Sequence, residues 1–361
     1  MTALHPPLLL GIETSCDDTA CAVVDGRGRV LASVVSSQMA VHQPYGGVVP
    51  EIASREHLLN WPQVSHEALA RAGVTLADLD AVAATRGPGL VGCLLVGLSL
   101  GRAIAFARDL PFFGVHHLEG HLYSPFLAGA EAEEADPPPA RFVGLVASGG
   151  HTSLLAVEDG RVTSLAETRD DAMGEVFDKV GKRAGLPYPQ GPRVDQLAEA
   201  GTPSDRAFAA LPRIDDGLFF SFSGLKSQAL REIERLERAG VLPAEPDASP
   251  ELRDLLAGFR QAAVRQVLDR LDRLAAARPF TCLAVSGGVA ANRLLRRELA
   301  TWAAAAGVEL RLVPLRYAGD NAAMIAFAAL LRLRRGETGG STDLAVESRI
   351  PFAVAAGGGN G

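Results

Sequence analysis

Several features that mark other classes of protein are scarce in this chain of 361 residues. Its four cysteines (Cys16, Cys21, Cys93 and Cys282) show no CxxC spacing, which argues against a zinc ribbon or a disulfide scaffold and predicts reduced thiols. The 35 basic residues do not exceed the 42 acidic ones, so a nucleic-acid partner would need a local basic patch or an accompanying protein. No signal peptide is apparent, and Gly, Arg or His interrupts the longest apolar runs, so we expect a cytoplasmic protein with no membrane span.

The chain contains an internal repeat. At a constant offset of 133 residues, Leu8 to Asp25 and Arg141 to Glu158 share a pattern of apolar run, small polar turn and apolar run, with matching Gly, Ser and Thr positions. Each copy predicts a β-hairpin. Helices, a strand, a glycine turn and a helix follow each copy, with the strands at 80–85 and 281–285. The repeat therefore predicts two similar lobes, as the chain length also favours.

Composition suggests where the lobes end. We predict an N-terminal lobe at 8–131, a linker at 132–140, a C-terminal lobe with a helical insertion at 141–335, and a glycine-rich tail at 336–361. The linker is acidic and rich in proline, which is typical of a connector. The tail shows little periodicity, so we expect it to be loose, with at most one short docked segment. A further surface loop is predicted at 241–250.

Two histidines stand four residues apart in His117-Leu118-Glu119-Gly120-His121. On a helix this spacing places both side chains on one face, which suits two ligands of one metal. The stretch differs from the HExxH motif of metallopeptidases because Leu118, not a glutamate, follows the first histidine. Glu119 lies about 200° around the helix from His117 and so points away from a shared metal. A partly buried helix with two histidines and no metal remains an alternative.

Two Ser-Gly-Gly turns follow predicted strands, at Ser148–Gly150 and Ser286–Gly288. Such turns leave backbone N–H groups free at the end of a strand, where they can bind phosphate oxygens. Asn292 follows the second turn on the first turn of a helix, where its amide could contact a nucleoside. The sequence has no GxxxxGK[ST] P-loop, so a nucleotide would bind between two lobes instead.

Carboxylates are concentrated in two further places. Asp170 to Lys179 contains four of them, including Asp178, and is followed by a sharp turn at Gly191 and by Asp195 in the next helix. A solvated acidic face is the alternative to a binding role. Asp320 precedes a long apolar helix, so it is either the N-cap of that helix or the carboxylate that completes a two-histidine, one-carboxylate metal site.

These motifs, in this order, resemble the TsaD family (also Gcp or YgjD), the tRNA N6-adenosine threonylcarbamoyltransferases. The resemblance runs from about residue 8 to 335. It implies an α/β actin-like ATPase and sugar-kinase (ASKHA) fold, with two similar lobes around an interlobe cleft. The matching stretches are GIETSCDDTA from Gly11, VVPEIASREH from Val48, GPGLVGCLLVG from Gly87, HHLEGH from His116, SGGHT from Ser148, DDAMGEVFDK from Asp170, YPQGP from Tyr188, FSFSGLK from Phe220, SGGVAANRLLR from Ser286 and DNAAMIA from Asp320.

The resemblance implies a reaction and a set of site residues. The threonylcarbamoyl group would pass from threonylcarbamoyl-AMP to N6 of the adenosine 3′ of the anticodon (position 37) in tRNAs that read ANN codons, and AMP would leave. One divalent metal ion, iron(II) or zinc in its place, would be bound by His117, His121 and Asp320. No catalytic residue is assigned beyond this metal site. The donor would be bound by Val146, Ala147, Ser148, Gly149, Gly150, Asp178, Gly191, Asp195 and Asn292.

The resemblance also implies partners, namely tRNA, the degenerate paralogue TsaB in a heterodimer, and the ATPase TsaE. Six basic residues near the motifs could neutralise phosphates of the tRNA, or could simply be solvated. The main alternative function is an actin-like ATPase or small-molecule kinase, against which the histidine pair argues. A metallopeptidase and a non-catalytic scaffold are further alternatives. The six basic residues are Lys179, Lys182, Arg183, Arg193, Lys226 and Arg293.

Overall fold

The computed structural model describes residues 6–203, 208, 218–241, 249–340 and 345–354. Most of the predicted surface loop at 241–250 lies outside these residues. The chain forms two compact units, the first comprising Met1–Pro139 and Val313–Pro351, and the second Ala140–Leu312 and Phe352–Gly361.

The first unit contains six strands and five helices within the described residues. The strands are β1 (Leu8–Glu13), β2 (Asp18–Asp25), β3 (Arg29–Ser37), β4 (Ala81–Gly87), β5 (Phe112–His116) and β6 (Ala128–Gly129). They form one sheet in the order β5-β4-β1-β2-β3-β6. The helices are α1 (Met39–His42), α2 (Pro50–Ala72), α3 (Val91–Arg108), α4 (His117–Tyr123) and α10 (Ala322–Arg334).

The second unit contains the remaining described elements. Its strands are β7 (Arg141–Ala147), β8 (Thr152–Glu158), β9 (Arg161–Glu167), β10 (Cys282–Ser286), β11 (Glu309–Leu312) and β12 (Ala353–Val354). They form a sheet in the order β11-β10-β7-β8-β9-β12. The helices are α5 (Met173–Arg183), α6 (Gln190–Glu199), α7 (Ser223–Arg238), α8 (Pro250–Ala277) and α9 (Arg293–Ala306).

The two sheets repeat each other strand for strand. In each, a three-stranded antiparallel meander is extended by strands that pair in parallel. Leu8 pairs with Asp25 in the first hairpin, and Arg141 pairs with Glu158 in the second, so the registers match at the offset of 133 residues. The predicted hairpins and internal repeat are confirmed.

Local sequence explains where the elements begin and end. β4 (AVAATRG) is buried at nearly every position, as expected for a strand with parallel neighbours on both sides. α2 begins with Pro50, whose missing N–H costs nothing in the first helical turn. It ends at Ala72 and is capped by Gly73, which adopts a left-handed conformation with φ of 68°.

The predicted lobe boundary near residue 140 agrees with the two units, but the C-terminal boundary differs. We predicted that residues 313–335 belong to the C-terminal lobe, whereas the segment from Val313 lies in the first unit. The reason is that α10 packs on the sheet of the first unit, in contact with β1 and α4. Every side chain from Ala322 to Leu331 is buried there.

This packing leads to a prediction about Gly11 in β1. A Cβ atom at Gly11 would lie 2.1 Å from the backbone oxygen of Ala322, so a methyl group must displace α10. We expect Gly11→Ala to lower the free energy of unfolding by about 2–3 kcal/mol, as overpacking of a core does. Gly150→Ala, where a Cβ meets nothing within 4 Å, is the matched control and should leave urea unfolding unchanged. Equal stability of the two variants would contradict this packing.

One helix in the described part of the chain, α3, is long and apolar enough to cross a membrane by length and composition. Its buried face, which includes Leu94, Gly97 and Leu98, packs against the sheet at β4. About one third of α3 is buried, so one face of the helix packs on the first unit. All four cysteines are free, as predicted, and three of them are buried.

Candidate metal centre and glycine-rich turns

The predicted helix around the histidine pair is α4, which follows directly from β5. His116 is its N-cap, and the His116 side chain accepts a hydrogen bond from the backbone N–H of Leu118. Every residue of α4 is buried. The rings of His117 and His121 lie with their centroids 4.7 Å apart and their planes nearly perpendicular. The spacing thus brings both imidazoles to one face, as predicted.

Asp320 completes the group. Its Oδ1 lies 3.0 Å from His121 Nε2 and 3.6 Å from His117 Nε2. The three potential ligand atoms lie within 4.8 Å of one another. Donor atoms about 2.1 Å from a tetrahedral metal are about 3.4 Å apart, so these residues fit a metal ion with two nitrogen ligands and one oxygen ligand. The N-cap of α10 is Asn321, which decides against the alternative use of Asp320.

His117 is held by residues that the sequence did not single out. Its Nδ1 lies 3.0 Å from Glu13 Oε2 and 3.3 Å from Ser15 Oγ. Thr85 donates a hydrogen bond to the same Glu13 oxygen over 2.7 Å. A carboxylate on the far nitrogen fixes the orientation of a ligand histidine and raises its basicity. The sequence signal for Glu13 was a carboxylate at the end of an apolar strand.

Glu119 has a different partner. Its carboxylate forms a partly buried ion pair with Arg332 of α10, with 3.1 Å between Arg332 Nε and Glu119 Oε1. Arg332 also donates to the Gly114 carbonyl oxygen. The prediction that Glu119 points away from the metal ligands is confirmed, and with it the argument against a peptidase.

Negative charge is concentrated around the centre and contributes to a raised pKa of Asp18. Burial first, and then repulsion by Asp320, Asp17 and Glu13, raises the pKa of Asp18 to about 7, although a hydrogen bond with Ser37 opposes this. His117 is affected in the opposite way. Burial would lower its pKa, but Asp320 and Glu13 raise it to about 9. Carboxylates that repel one another in the metal-free protein are the surroundings that a divalent cation would stabilise.

The pKa of Asp18 leads to a prediction about metal-free protein. The folded-state pKa of this acid is raised from 3.8 to about 7. Its favourable contribution to the free energy of unfolding is therefore fully present below pH 3.8 and is lost as pH rises through about 7. We expect Asp18→Asn to stabilise chelator-treated protein by about 2–4 kcal/mol at pH 8 and to have no such effect at pH 4. Urea unfolding at several pH values measures this difference. A difference that does not change with pH would contradict it.

In the second unit, the two Ser-Gly-Gly turns lie side by side. β7 and β10 are parallel neighbours in which Ser286 pairs with Val146, so both turns leave the same edge of the sheet. Gly287 has φ of 89°, and a Cβ there would lie 2.2 Å from the Ala147 oxygen. By contrast, a Cβ at Gly149, Gly150 or Gly288 would meet nothing within 4 Å. The backbone of these three glycines is therefore open to a ligand.

α5 and α6 bring further predicted residues to this edge. Gly174, in the first turn of α5, packs against the backbone of Ser148 and Gly149. Asp178 Oδ1 accepts a hydrogen bond of 2.7 Å from the backbone N–H of Gly191. Burial raises the pKa of Asp178, although N–H donors at Gly191 and Gln190 oppose the rise. Asp178 thus caps the start of α6 in addition to any contact with a ligand.

Asp195 and Asn292 also have partners within the protein. Asp195 accepts from Arg260 Nη1 over 2.9 Å and from the backbone N–H of Arg293 over 3.3 Å. Asn292 is the N-cap of α9, and its Oδ1 accepts from the Leu295 N–H. Arg260 is buried in α8, where a buried arginine needs carboxylate partners, and no sequence motif marks it. Asp195 and Asn292 therefore meet at the start of α9.

Three of the six basic residues suggested for tRNA are paired within the chain. Lys179 and Lys226 both form ion pairs with Asp171. Arg183 forms an ion pair with Glu237. These three charges are partly neutralised, so a role for them in tRNA binding stays a prediction.

Comparison with known proteins identifies the class and then the family. The two-sheet α/β architecture is the actin-like ATPase fold. HypF from T. kodakarensis has a similar structure, with a TM-score of 0.59 at 16% identity over 92% of this chain and 48% of that one. Component A of (R)-2-hydroxyglutaryl-CoA dehydratase from Acidaminococcus fermentans has a TM-score of 0.50 at 14% identity, covering 91% of this chain and 99% of that one.

The family follows from sequence similarity. The family model "TsaD: tRNA N6-adenosine threonylcarbamoyltransferase" matches residues 29–327. The tRNA N6-adenosine threonylcarbamoyltransferase of Geobacter sulfurreducens is 49% identical over 350 residues, covering 96% of this chain and 97% of that one. The enzyme of the same name from Burkholderia thailandensis is 47% identical, covering 94% and 96%. The chain belongs to this family and is a transferase that acts on tRNA. An actin-like ATPase or small-molecule kinase is not favoured.

Proposed function

We propose that the protein transfers the threonylcarbamoyl group from threonylcarbamoyl-AMP to N6 of adenosine 37 in tRNAs that read ANN codons. In this step N6 attacks the carbamoyl carbon, the bond from that carbon to the phosphate oxygen breaks, AMP leaves with the electron pair, and N6 loses a proton. The observation that carries the proposal is the convergence of His117, His121 and Asp320 in a chain of this family.

We propose that these three residues hold one divalent metal ion, iron(II), with zinc as a substitute. Two histidines and one carboxylate with open positions are the usual ligands of non-haem iron(II). When bound there, the ion would polarise and orient the mixed anhydride. The protein's own contribution is orientation, since Glu13 and Ser15 hold His117 with its Nε2 toward Asp320. Elemental analysis of anaerobically purified protein should find about one iron per chain. The absence of both iron and zinc would contradict this assignment.

The donor is proposed to bind along the edge where β7 and β10 end. Support comes from the open backbone at Gly149, Gly150 and Gly288, which can approach a phosphate closely. Nine residues form the proposed site: Val146, Ala147, Ser148, Gly149, Gly150, Asp178, Gly191, Asp195 and Asn292.

We further propose a cytoplasmic location and a heterodimer with TsaB, assisted by TsaE. Support for a protein partner comes from large apolar side chains that are exposed on the first unit. Leu58 and Leu59 of α2 are 57% and 71% exposed, and Leu95 of α3 is 49% exposed. α2 and α3 pack against each other. Leu59→Asp should reduce co-elution with TsaB, whereas Leu315→Asp, at another exposed leucine, should not.

The nucleotide product distinguishes the proposed transfer from kinase or ATPase chemistry. With donor, partners and an ANN-decoding tRNA, we expect one AMP released for each threonylcarbamoyl group that becomes bound to tRNA. Chromatography of the nucleotides and scintillation counting of tRNA with threonine-labelled donor measure both quantities. AMP release without label in the tRNA, or nucleotide turnover independent of tRNA, would count against the transfer.

A further inference from the structure

A short segment near the C-terminus, residues 345–350, lies against the first unit, in a tail that we expected to be loose apart from one short docked segment. We call it the C-terminal strap. The Glu347 N–H donates to the Arg86 carbonyl oxygen over 3.0 Å, and Arg86 Nη2 lies 2.8 Å from Glu347 Oε1. The Gly89 N–H donates to the Ser348 carbonyl oxygen over 3.4 Å. Backbone and side-chain contacts thus join the strap to the loop that follows β4.

The loop is shaped to receive the strap. Gly87 has φ of 150°, and a Cβ there would lie 2.0 Å from the Glu347 oxygen and 3.0 Å from Cδ1 of Ile350. Any side chain at Gly87 would therefore displace the strap. The close approach of the strap explains why position 87 is a glycine. The sequence pattern of the loop alone does not explain it.

The strap also reaches the helix of the metal ligands through His116, which is buried. His116 Nδ1 accepts from the backbone N–H of Leu118 over 3.1 Å, so this nitrogen carries no proton. The proton is then on Nε2, which donates to the Ile350 carbonyl oxygen over 2.8 Å. The His116 imidazole therefore connects the strap to the start of α4, where His116 is the N-cap and His117 is the next residue.

A second route runs through the hairpin of β1 and β2. The Leu90 N–H donates to the Ser15 carbonyl oxygen over 2.8 Å, and a Cβ at Gly89 would lie 2.7 Å from the same oxygen. The Ser15 N–H in turn donates to Glu13 Oε1 over 2.5 Å, and the other oxygen of Glu13 faces His117 Nδ1. The loop held by the strap therefore supports the carboxylate that orients His117.

We propose that the C-terminal strap is a structural part of the metal centre, and that His116 is a positioning residue that transmits its docking to His117. This inference rests on the proposed metal centre. Loss of the strap should weaken metal binding by about 10–100-fold, the range typical of outer residues around a metal site. It should also speed hydrogen exchange in α4, since the N-cap loses its anchor.

Two truncated chains test the strap directly. One ends at Gly340 and lacks the strap, and the other ends at Val354 and keeps it. Metal dissociation constants by chelator competition, the visible spectrum of the cobalt(II)-loaded protein and hydrogen exchange of α4 are measured for both and for the full chain. We expect weakened binding, an altered spectrum and faster exchange only in the chain that ends at Gly340.

Substitutions of His116 test the link within the full-length chain. His116→Asn can supply the acceptor at the Nδ1 position but does not reach Ile350. His116→Gln can supply the donor at the Nε2 position but lacks the cap. We expect His116→Asn to show the same weaker metal binding and altered spectrum as the chain that ends at Gly340. Because His116→Asn keeps the acceptor that caps α4, loss of the cap would not explain these changes.

The outcomes separate this inference from the proposed function. If the full chain binds metal tightly and both His116→Asn and the chain ending at Gly340 do so equally, the strap has no positioning role and the metal centre stands. If the full chain itself binds no metal, the centre fails, and the inference fails with it. If the chain ending at Gly340 does not fold, His116→Asn alone decides the question.

Discussion

We expect His121→Ala to abolish stoichiometric metal binding and to lower threonylcarbamoyl transfer by at least about 100-fold. His121 is fully buried, and its Nε2 is the ligand atom nearest to Asp320 Oδ1, at 3.0 Å. Alanine leaves two ligands at most. Elemental analysis and the rate of transfer to tRNA measure the two effects.

The matched control is His66→Ala, which removes an exposed histidine of α2. It should retain both metal and activity. If His121→Ala kept one metal per chain, the ligand assignment would be wrong. If it lost the metal but transferred at the normal rate, the metal would have no part in the reaction.

A second large effect is expected at Gly149. Because a Cβ there would meet nothing within 4 Å, Gly149→Val should fold normally. Its side chain would occupy the space in front of the turn, where we propose that the phosphate of the donor binds. We expect kcat/KM for threonylcarbamoyl-AMP to fall by roughly 100-fold, since the backbone N–H groups can no longer approach the phosphate.

The control for steric effects is Gly47→Val, at another glycine whose Cβ would meet nothing within 4 Å. It lies in the first unit, whereas the proposed donor residues belong to the second, so steady-state kinetics should be unchanged. Normal donor kinetics in Gly149→Val would overturn the assignment of this turn. Metal content should stay at the wild-type level in both variants, which separates this effect from that of His121→Ala.

Local patterns predicted most of the fold. The two hairpins follow from apolar runs on either side of small polar turns. α8 follows from apolar residues at helical spacing, and α3 follows from a long apolar run rich in Gly, Leu and Ala. The placement of α10 did not follow, since nearly every residue of α10 is buried and an apolar helix can pack on either sheet. The close contact between Gly11 and Ala322, which are far apart in sequence, places α10 on the sheet of the first unit.

The candidate site was predicted only in part, because some of its contacts are local in sequence and others are distant. The spacing of His117 and His121 is a local property of one helix, and the sequence revealed it. Glu13 and Arg260 act through partners that are distant in sequence, so their roles could not be predicted from local patterns. A short docked segment was expected in the tail, but the contacts of the strap were not predicted, because residues 345–350 carry no periodicity and are held by hydrogen bonds to the loop after β4 and to His116.

The most direct measurement is the mass of the nucleosides in an ANN-decoding tRNA after incubation with threonylcarbamoyl-AMP, TsaB, TsaE and this protein. Metal-loaded protein should convert adenosine 37 to threonylcarbamoyladenosine, chelated protein should not, and added iron(II) should restore the product. Absence of the threonylcarbamoyl mass with metal-loaded protein and all partners present would contradict the central claim.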